Sequence, residues 1–298
     1  MRLPGTTVTP ATARHTFRAL EPVHGMIYFT PRGPEAYAAA GVTDPRMMYF
    51  ASRSAALGPV DAGLAIATFF NFNPAVVRLA LPSAWDIAAP DRMLAARLEA
   101  VDRSLRQAWG ADSDGPQIRE AAELARRAAE RACERPQGRP LFAAHAALPW
   151  PDEPHLMLWH AQTLLREYRG DGHVALLLTD GLDGLEALIT HGATGAIPGE
   201  VLRASRAWST QEWAEGVERL RTRGWLTDGP GLALSDEGAR RRQSIEDRTD
   251  ELAVHPYEAI GEDGCERLRR LAGPLSAAVV DAGLGFPALL AARYVTGD

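Results

Sequence analysis

WSTQEWAEGVERLRTRGWL (residues 208–226), followed by TDGPGLALSDEGARRR (227–242), reads as a helix, a turn, a short β-wing and a second helix. Ser209 is a good N-cap, and Glu212 three residues on completes a capping box. Trp213, Val217 and Leu220 fall on one helical face, which Trp225 and Leu226 close. Gly224 is a natural C-cap. Gly229-Pro230-Gly231 supplies a turn before Leu232-Ala233-Leu234. This order is the outline of a winged helix, a shape suited to entering a DNA groove. The residues that would meet DNA are Gln211, Arg219, Thr222 and Arg223. Glu215 and Glu218 share that outward face, and phosphates, which take most protein–DNA hydrogen bonds, would repel them. The wing tip, residues 228–231, carries no arginine to enter a minor groove. Arg240, Arg241 and Arg242 follow the wing, but Glu246 and Asp247 come soon after. The shape therefore points to DNA and the charge points away from it.

Working outward, the chain has 298 residues, 46% hydrophobic and 23% charged, with a formal net charge of -6. That is the composition of a globular protein with one large or two ordinary cores. It provides no overall basic field for nucleic acid or an anionic membrane. Every fixed cationic side chain is arginine; lysine is absent. Cys133 and Cys265 follow no metal-type spacing and read as reduced, buried thiols of a cytoplasmic protein. No signal peptide and no apolar run of membrane-spanning length is evident, so the expected localisation is cytoplasmic, with no membrane partner.

Helical patterns dominate: 92–109, 117–133 and 156–168 each repeat apolar residues at helical spacing. Proline-rich connectors lie at 135–140 and 149–154. A faint internal repeat, offset by roughly 123 to 125 residues, relates a helix from Ala56 through Phe70, then Val76-Val77-Arg78-Leu79 and Trp85, to a helix from Gly181 through His191, then Val201-Leu202-Arg203 and Trp208. The expected class is mainly α: a duplicated winged-helix architecture with a short β-wing in the C-terminal half. The expected division is a degenerate N-terminal half at 1–110, a helical and proline-rich connector at 111–155, and a winged-helix half at 156–298. The first copy lacks a wing, since residues 85–90 lead straight into a helix. A one-winged pseudo-dimer cannot grip a palindrome symmetrically.

RLRTRGWL (219–226), LALSDEGARR (232–241) and IEDRTDEL (245–252) resemble the MarR-like winged-helix proteins. LEPVHGMIYF (20–29), YFASRSAALG (49–58), FNFNPAVV (70–77), TLLREYRGDGHVA (163–175) and TDELA (249–253) extend the resemblance over most of the chain. Taken together they are similar to a large actinobacterial helix-turn-helix, MarR-like family, mostly without assigned function. The resemblance implies the fold. MarR-like regulators are homodimers with two winged helices, so it also implies either a homodimer or a monomer whose halves imitate one.

Polar clusters suggest where chemistry lies. Glu21 and His24 are three apart on one helical face: a structural pair beside Tyr28, an acid–base pair, or half of a di-iron motif whose second copy is missing. Arg53, in an otherwise apolar helix, needs an anionic partner, either Glu21 or a ligand. Thr68, Asn71 and Asn73 interrupt an apolar run beside Phe69, Phe70 and Phe72. Arg166, Glu167, Arg169, Asp171 and His173 crowd what reads as a helix–loop–helix junction, with Gly170 ending one helix and Asp171 capping the next. No nucleotide-binding loop, hydrolase elbow or paired Cys-x-x-Cys occurs. The expected function is small-molecule binding in a pocket between the halves, lined by Glu21, His24, Tyr28, Arg53, Asn71, Glu167 and His173, in a ligand-responsive regulator with weak or lost DNA contact. The alternative is an enzyme using a Glu/His acid–base, metal or haem site. Catalytic residues and cofactors are unassigned, and no metal ligand set is identified.

Overall fold

The computed structural model describes residues 7–285 and Pro287. Among these residues the architecture is helical. The first half runs α1 (Pro10–Gly25), α2 (Arg32–Ala39), α3 (Pro45–Ser54), α4 (Ala62–Phe69), α5 (Pro74–Arg78), α6 (Ala84–Ile87), α7 (Pro90–Trp109) and α8 (Pro116–Ala132). The second runs α9 (Pro140–Ala146), α10 (Pro154–Thr179), α11 (Gly184–Gly192), α12 (Gly199–Ser205), α13 (Thr210–Thr222), α14 (Asp236–Leu252), α15 (Val254–Tyr257) and α16 (Gly261–Asp281). Proline stands at the start of many of these helices, where its missing N–H costs nothing.

Two apolar clusters hold the molecule together. The larger joins α1–α10 to α15 and α16. In α8 its inner face is Ile118, Ala121, Ala122, Ala125, Ala128, Ala129 and Ala132, a small-residue surface that lets α10 pack closely. The smaller cluster gathers Leu176, Leu177, Leu182, Leu185, Ile189, Leu220, Trp225, Leu226 and Ile245 from the end of α10, from α11, α13, α14 and the loops between them. The helix α10 belongs to both: its first half is buried in the large cluster and its last two turns support the small one.

Local chemistry accounts for the small unit. Ser209 accepts from the Glu212 N–H and the Glu212 carboxylate accepts from the Ser209 N–H at 2.9 Å, the expected capping box. Gly224 takes a φ of +74°, ending α13. The expected β-wing is reduced to one antiparallel bridge between Leu226 and Leu234, flanked by Ser235 N–H to Trp225 O at 3.0 Å; no strand occurs among the described residues. Its tip lacks the cross-strand side-chain pairs that would extend a ladder.

Three expectations are corrected. The break at Gly170–Gly172 does not occur, and α10 continues for 26 residues to Thr179. Glycine costs a helix about 1 kcal/mol, but here Asp171 receives the Phe142 N–H at 2.9 Å and Arg169 holds Asp250 at 2.7 Å, so tertiary contacts carry the helix through. The helix expected from Ala56 starts at Ala62 instead, because Asp61 caps it by accepting from Gly63 N–H at 2.8 Å. Cys265 is buried as expected, whereas Cys133 is exposed.

Candidate functional site

A cleft of about 430 Å³ opens between the N-terminal helices and the small unit, with α10 as its floor. Glu21, Arg53, Asn71, Glu167 and His173 of the expected site line it. His24 and Tyr28 do not; they form the layer behind it. The expected Glu21–His24 pairing is absent. Glu21 instead accepts from Arg166 Nε at 3.0 Å, while His24 Nδ1 meets Thr163 Oγ1 at 2.9 Å and His24 Nε2 meets Tyr28 OH at 3.0 Å. Thr163 spends its proton on the Trp159 carbonyl, so His24 carries its proton on Nδ1 and accepts the Tyr28 hydroxyl on Nε2. Arg53 pairs with Glu167 at 3.5 Å rather than with Glu21. His173 turns to Thr249 Oγ1 at 2.9 Å, away from Glu167.

Burial and arginine set the protonation states. Burial raises Glu21, and Arg166 only partly offsets this; its Oε2 is buried without a partner. Burial also acts on Glu167, but Arg166 and Arg53 outweigh it and hold that carboxylate below its usual range. Asp171 is lifted by burial to about 6. Burial takes His173 down to about 4, and His24 falls well below its ordinary value through burial and the nearby Arg166, Arg97 and Arg53. For Tyr28, burial pushes the phenol up, yet Arg53, Arg166 and Arg97 together bring it down. Their guanidinium carbons lie 5.5–5.6 Å from the ring centre.

The cleft contains two cations that sequence reasoning missed, Arg18 on α1 and Arg206. Arg206, in the turn after α12, lies 4.5 Å over the Phe72 ring and donates to Asn71 Oδ1 at 3.3 Å. No carboxylate lies within ion-pairing distance of it among the described residues. Burial lowers its affinity for its proton, as do Arg53 and Arg166 across the cleft. Arg53 lies over Phe69 at 4.6 Å, so two guanidinium groups rest on two aromatic faces of one cavity. Asp171 and Arg166 stand within the polar run at 163–175 and were legible as candidates. Arg206 was not, since nothing local distinguishes it from the other arginines.

The segment 70–73 is the joint between the parts. Asn73 N–H donates to Arg206 O at 3.0 Å, Trp208 Nε1 donates to Asn71 O at 2.9 Å, and Asn73 Nδ2 reaches the Glu212 carboxylate at 3.2 Å. Gly184 is required here: a Cβ on it would overlap the Phe70 carbonyl. Asn71 and Phe72 thus serve both the cleft and the docking of the helix-turn-helix pair, α12 and α13.

On α13 the four expected DNA-facing residues are exposed. Gln211 bonds Glu215 at 3.0 Å, and Thr222 bonds the Glu218 carbonyl at 3.0 Å. Arg219 holds Asp183 and Glu186, each at 3.2 Å, and Arg223 holds Glu186 at 2.7 Å. Arg240 and Arg241 share Glu237, and Arg242 takes Glu246. These cations are neutralised within the chain, while Glu215 and Glu218 face outward.

Among the described residues no cluster of His, Cys, Asp and Glu is arranged to hold a metal ion, and no helix is long and apolar enough to cross a membrane. No curated protein and no solved structure matches the chain. A profile described as a helix-turn-helix family matches residues 13–286. That match covers both the N-terminal helices and the small unit with its capped α13, and the chain belongs to this helix-turn-helix family.

Proposed function

We propose that this is a MarR-like, cytoplasmic helix-turn-helix protein that binds a small organic anion in the cleft and uses the occupied cleft to set the position of α12 and α13. The observation that carries this reading is Arg206: a desolvated guanidinium, without a carboxylate partner among the described residues, facing Arg53 and Arg166 in a cavity walled by Phe69 and Phe72. A half-buried guanidinium without an anion carries part of its desolvation cost uncompensated, and a ligand anion removes that cost. With Glu21 and Asp171 pushed toward their neutral forms, the cleft favours negative charge further. The aromatic faces suit a flat apolar body. Because the joint at 70–73 supplies lining residues, a ligand that prefers one position of that joint shifts the small unit with it.

The architecture we infer is a duplication. The order α4, α5, α6, α7 parallels α11, α12, α13, α14, and the four-residue α6 is the shrunken counterpart of α13. The division into a degenerate half at 1–110, a connector at 111–155 and a winged-helix half at 156–298 follows from that parallel. A monomer then contains its own pseudo-twofold, and direct DNA contact is weak because the arginines of α13 are already paired.

The test is a thermal-shift series with flat organic anions and their neutral amides, on the wild type and Arg206→Ala. The anions are expected to raise Tm in the wild type and to lose that effect in the variant, since ligand binding stabilises by mass action. Equal shifts from the amides, or an undiminished shift in Arg206→Ala, would overturn the proposal.

A second reading rests on one feature, the chain from Arg97 through Tyr28 and His24 to Thr163. It hands the Tyr28 proton to a neutral imidazole while arginines favour the phenolate, an arrangement suited to acid–base chemistry. Turnover that rises with pH and disappears in Tyr28→Phe would favour it over simple binding.

A further inference from the structure

A separate cavity of about 520 Å³ lies between the start of α1, the turn that joins α8 to α9, α10, and the end of α14 with α15. It shares no lining residue with the cleft. Its volume falls within the range of small-molecule sites. One wall is apolar: Val8 and Pro10 at the start of α1, Leu252 at the end of α14, and Val254 on α15. Leu252 is 42% exposed, one of the few large apolar side chains left open among the described residues. The other wall is polar and holds Arg135, Arg139 and Tyr168. Gly172 keeps the two walls close. It gives α10 no side chain there, and Leu252 Cδ1 and Arg139 Nη2 approach the place of its missing Cβ at 3.7 and 3.8 Å.

The polar wall presents donors that no protein acceptor takes. Arg139 lies 3.9 Å over the Tyr168 ring. Its Nε is spent on the Tyr168 carbonyl at 3.2 Å, and its Nη1 on the carbonyls of Arg135 and Gln137, each at 3.3 Å. Its Nη2 has no partner among the described residues, and neither has the guanidinium of Arg135. Tyr168 is 2% exposed. Its hydroxyl makes no hydrogen bond among the described residues, yet it is not sealed from solvent, so it opens on the cavity that the ring lines. Burial pushes this phenol up while Arg139 and Arg135 draw it down, so both guanidinium groups are felt at the hydroxyl. Guanidinium groups donate and never accept, and both are charged, so the partner that suits this wall is an anion. Glu258 is occupied by His255 at 3.2 Å and Arg131 at 3.7 Å, and Glu251 stands exposed at the rim. Their repulsion limits the guest to one negative charge.

We propose that this cavity is a second binding site, for a small apolar molecule bearing a single carboxylate. The carboxylate oxygens accept from Tyr168 OH, Arg139 Nη2 and Arg135, and the hydrocarbon body covers Leu252 against Val8, Pro10 and Val254. From Leu252, α14 runs back to Ile245 in the small cluster, so occupancy ties the small unit to α10 from the end away from the wing.

The experiment is isothermal titration of the full chain with hexanoate, its uncharged analogue hexanamide, and inorganic phosphate. Hexanoate is expected to bind saturably, with hexanamide about tenfold weaker for want of the charge. Phosphate, which has no apolar body, is expected to bind no better than the amide. Tyr168→Phe keeps the ring beneath Arg139 and against Phe142 but removes the donor, and is expected to weaken hexanoate about tenfold. Leu252→Glu sets an acid in the apolar wall at an exposed position that the fold tolerates, and is expected to abolish binding. Arg206→Ala, in the cleft, is expected to bind as the wild type does. The proposal is overturned if hexanoate does not bind saturably, if hexanamide or phosphate binds as well, or if Tyr168→Phe or Leu252→Glu binds unchanged. Loss of binding in Arg206→Ala would also overturn it, by placing the acid in the cleft.

Discussion

Asp171→Asn separates the cost of a buried carboxylate from the value of its hydrogen bond. Asp171 lies in the middle of α10, is 8% exposed, and accepts the Phe142 N–H at 2.9 Å. Burial raises it from an ordinary 3.8 to about 6. A carboxyl raised on folding contributes stability that is fully present below its unfolded value and is lost as pH rises through the folded one. Two units at about 1.4 kcal/mol each place the loss at up to about 3 kcal/mol between pH 4 and pH 7. Asparagine has the shape of the protonated acid, can still accept from Phe142, and does not titrate. Urea unfolding of both proteins across that window is the assay. Near pH 4 the two are expected to be equally stable; near pH 7 the variant is expected to be more stable by up to about 3 kcal/mol. Taking the difference between the proteins cancels the titration of Glu21 and of the other groups they share. A difference that is the same at pH 4 and pH 7 would refute the argument, because it would mean that Asp171 ionises as readily folded as unfolded.

Other perturbations address the helix-turn-helix surface and the joint. Glu186→Gln keeps a side-chain oxygen for the capping box but releases Arg223 and leaves Arg219 with Asp183 alone; binding to random duplex, read by anisotropy at two salt concentrations, is expected to appear or strengthen with a salt slope steeper by about 1. Identical binding by the wild type would show that these arginines are not masked. Gly184→Ala forces a Cβ into the Phe70 carbonyl and is expected to cost about 1–3 kcal/mol in urea unfolding, whereas a wild-type midpoint would mean that the joint yields freely. Tyr28→Phe leaves His24 Nε2 buried without its partner and is expected to cost about 1–3 kcal/mol in urea unfolding; a wild-type midpoint would show that this hydrogen bond adds nothing to stability.

Much of the small unit was legible because its signals are local. Ser209, Glu212 and Gly224 act within a few residues of themselves, and the inner face from Trp213 to Leu220 follows helical spacing. The misreadings have the same origin. Gly170 and Gly172 carry a local preference for breaking a helix, and α10 overrides it through Phe142 and Asp250, partners that no local window includes. The same limit applies to the site. Five of seven expected lining residues do line one cleft. His24 and Tyr28 sit behind it because α1 turns that face toward Trp159 and Thr163 on α10.

By itself, then, the sequence determined the helices at 92–109 and 117–133, the caps of α13 and which face of α13 points inward, since caps and periodicity act over one or two turns. Only the tertiary structure decided which charges remain available. Arg219 and Arg223 are taken by Glu186, 33 and 37 residues away, and Arg53 by Glu167, 114 residues away, while Arg206 is left beside Phe72 without an acid. Ion pairing depends on distance in space, and the strength of each charge depends on how much water folding removes from it. The arginines around α13 therefore close on the protein's own carboxylates, while Arg206, without an acid, lies in the cleft.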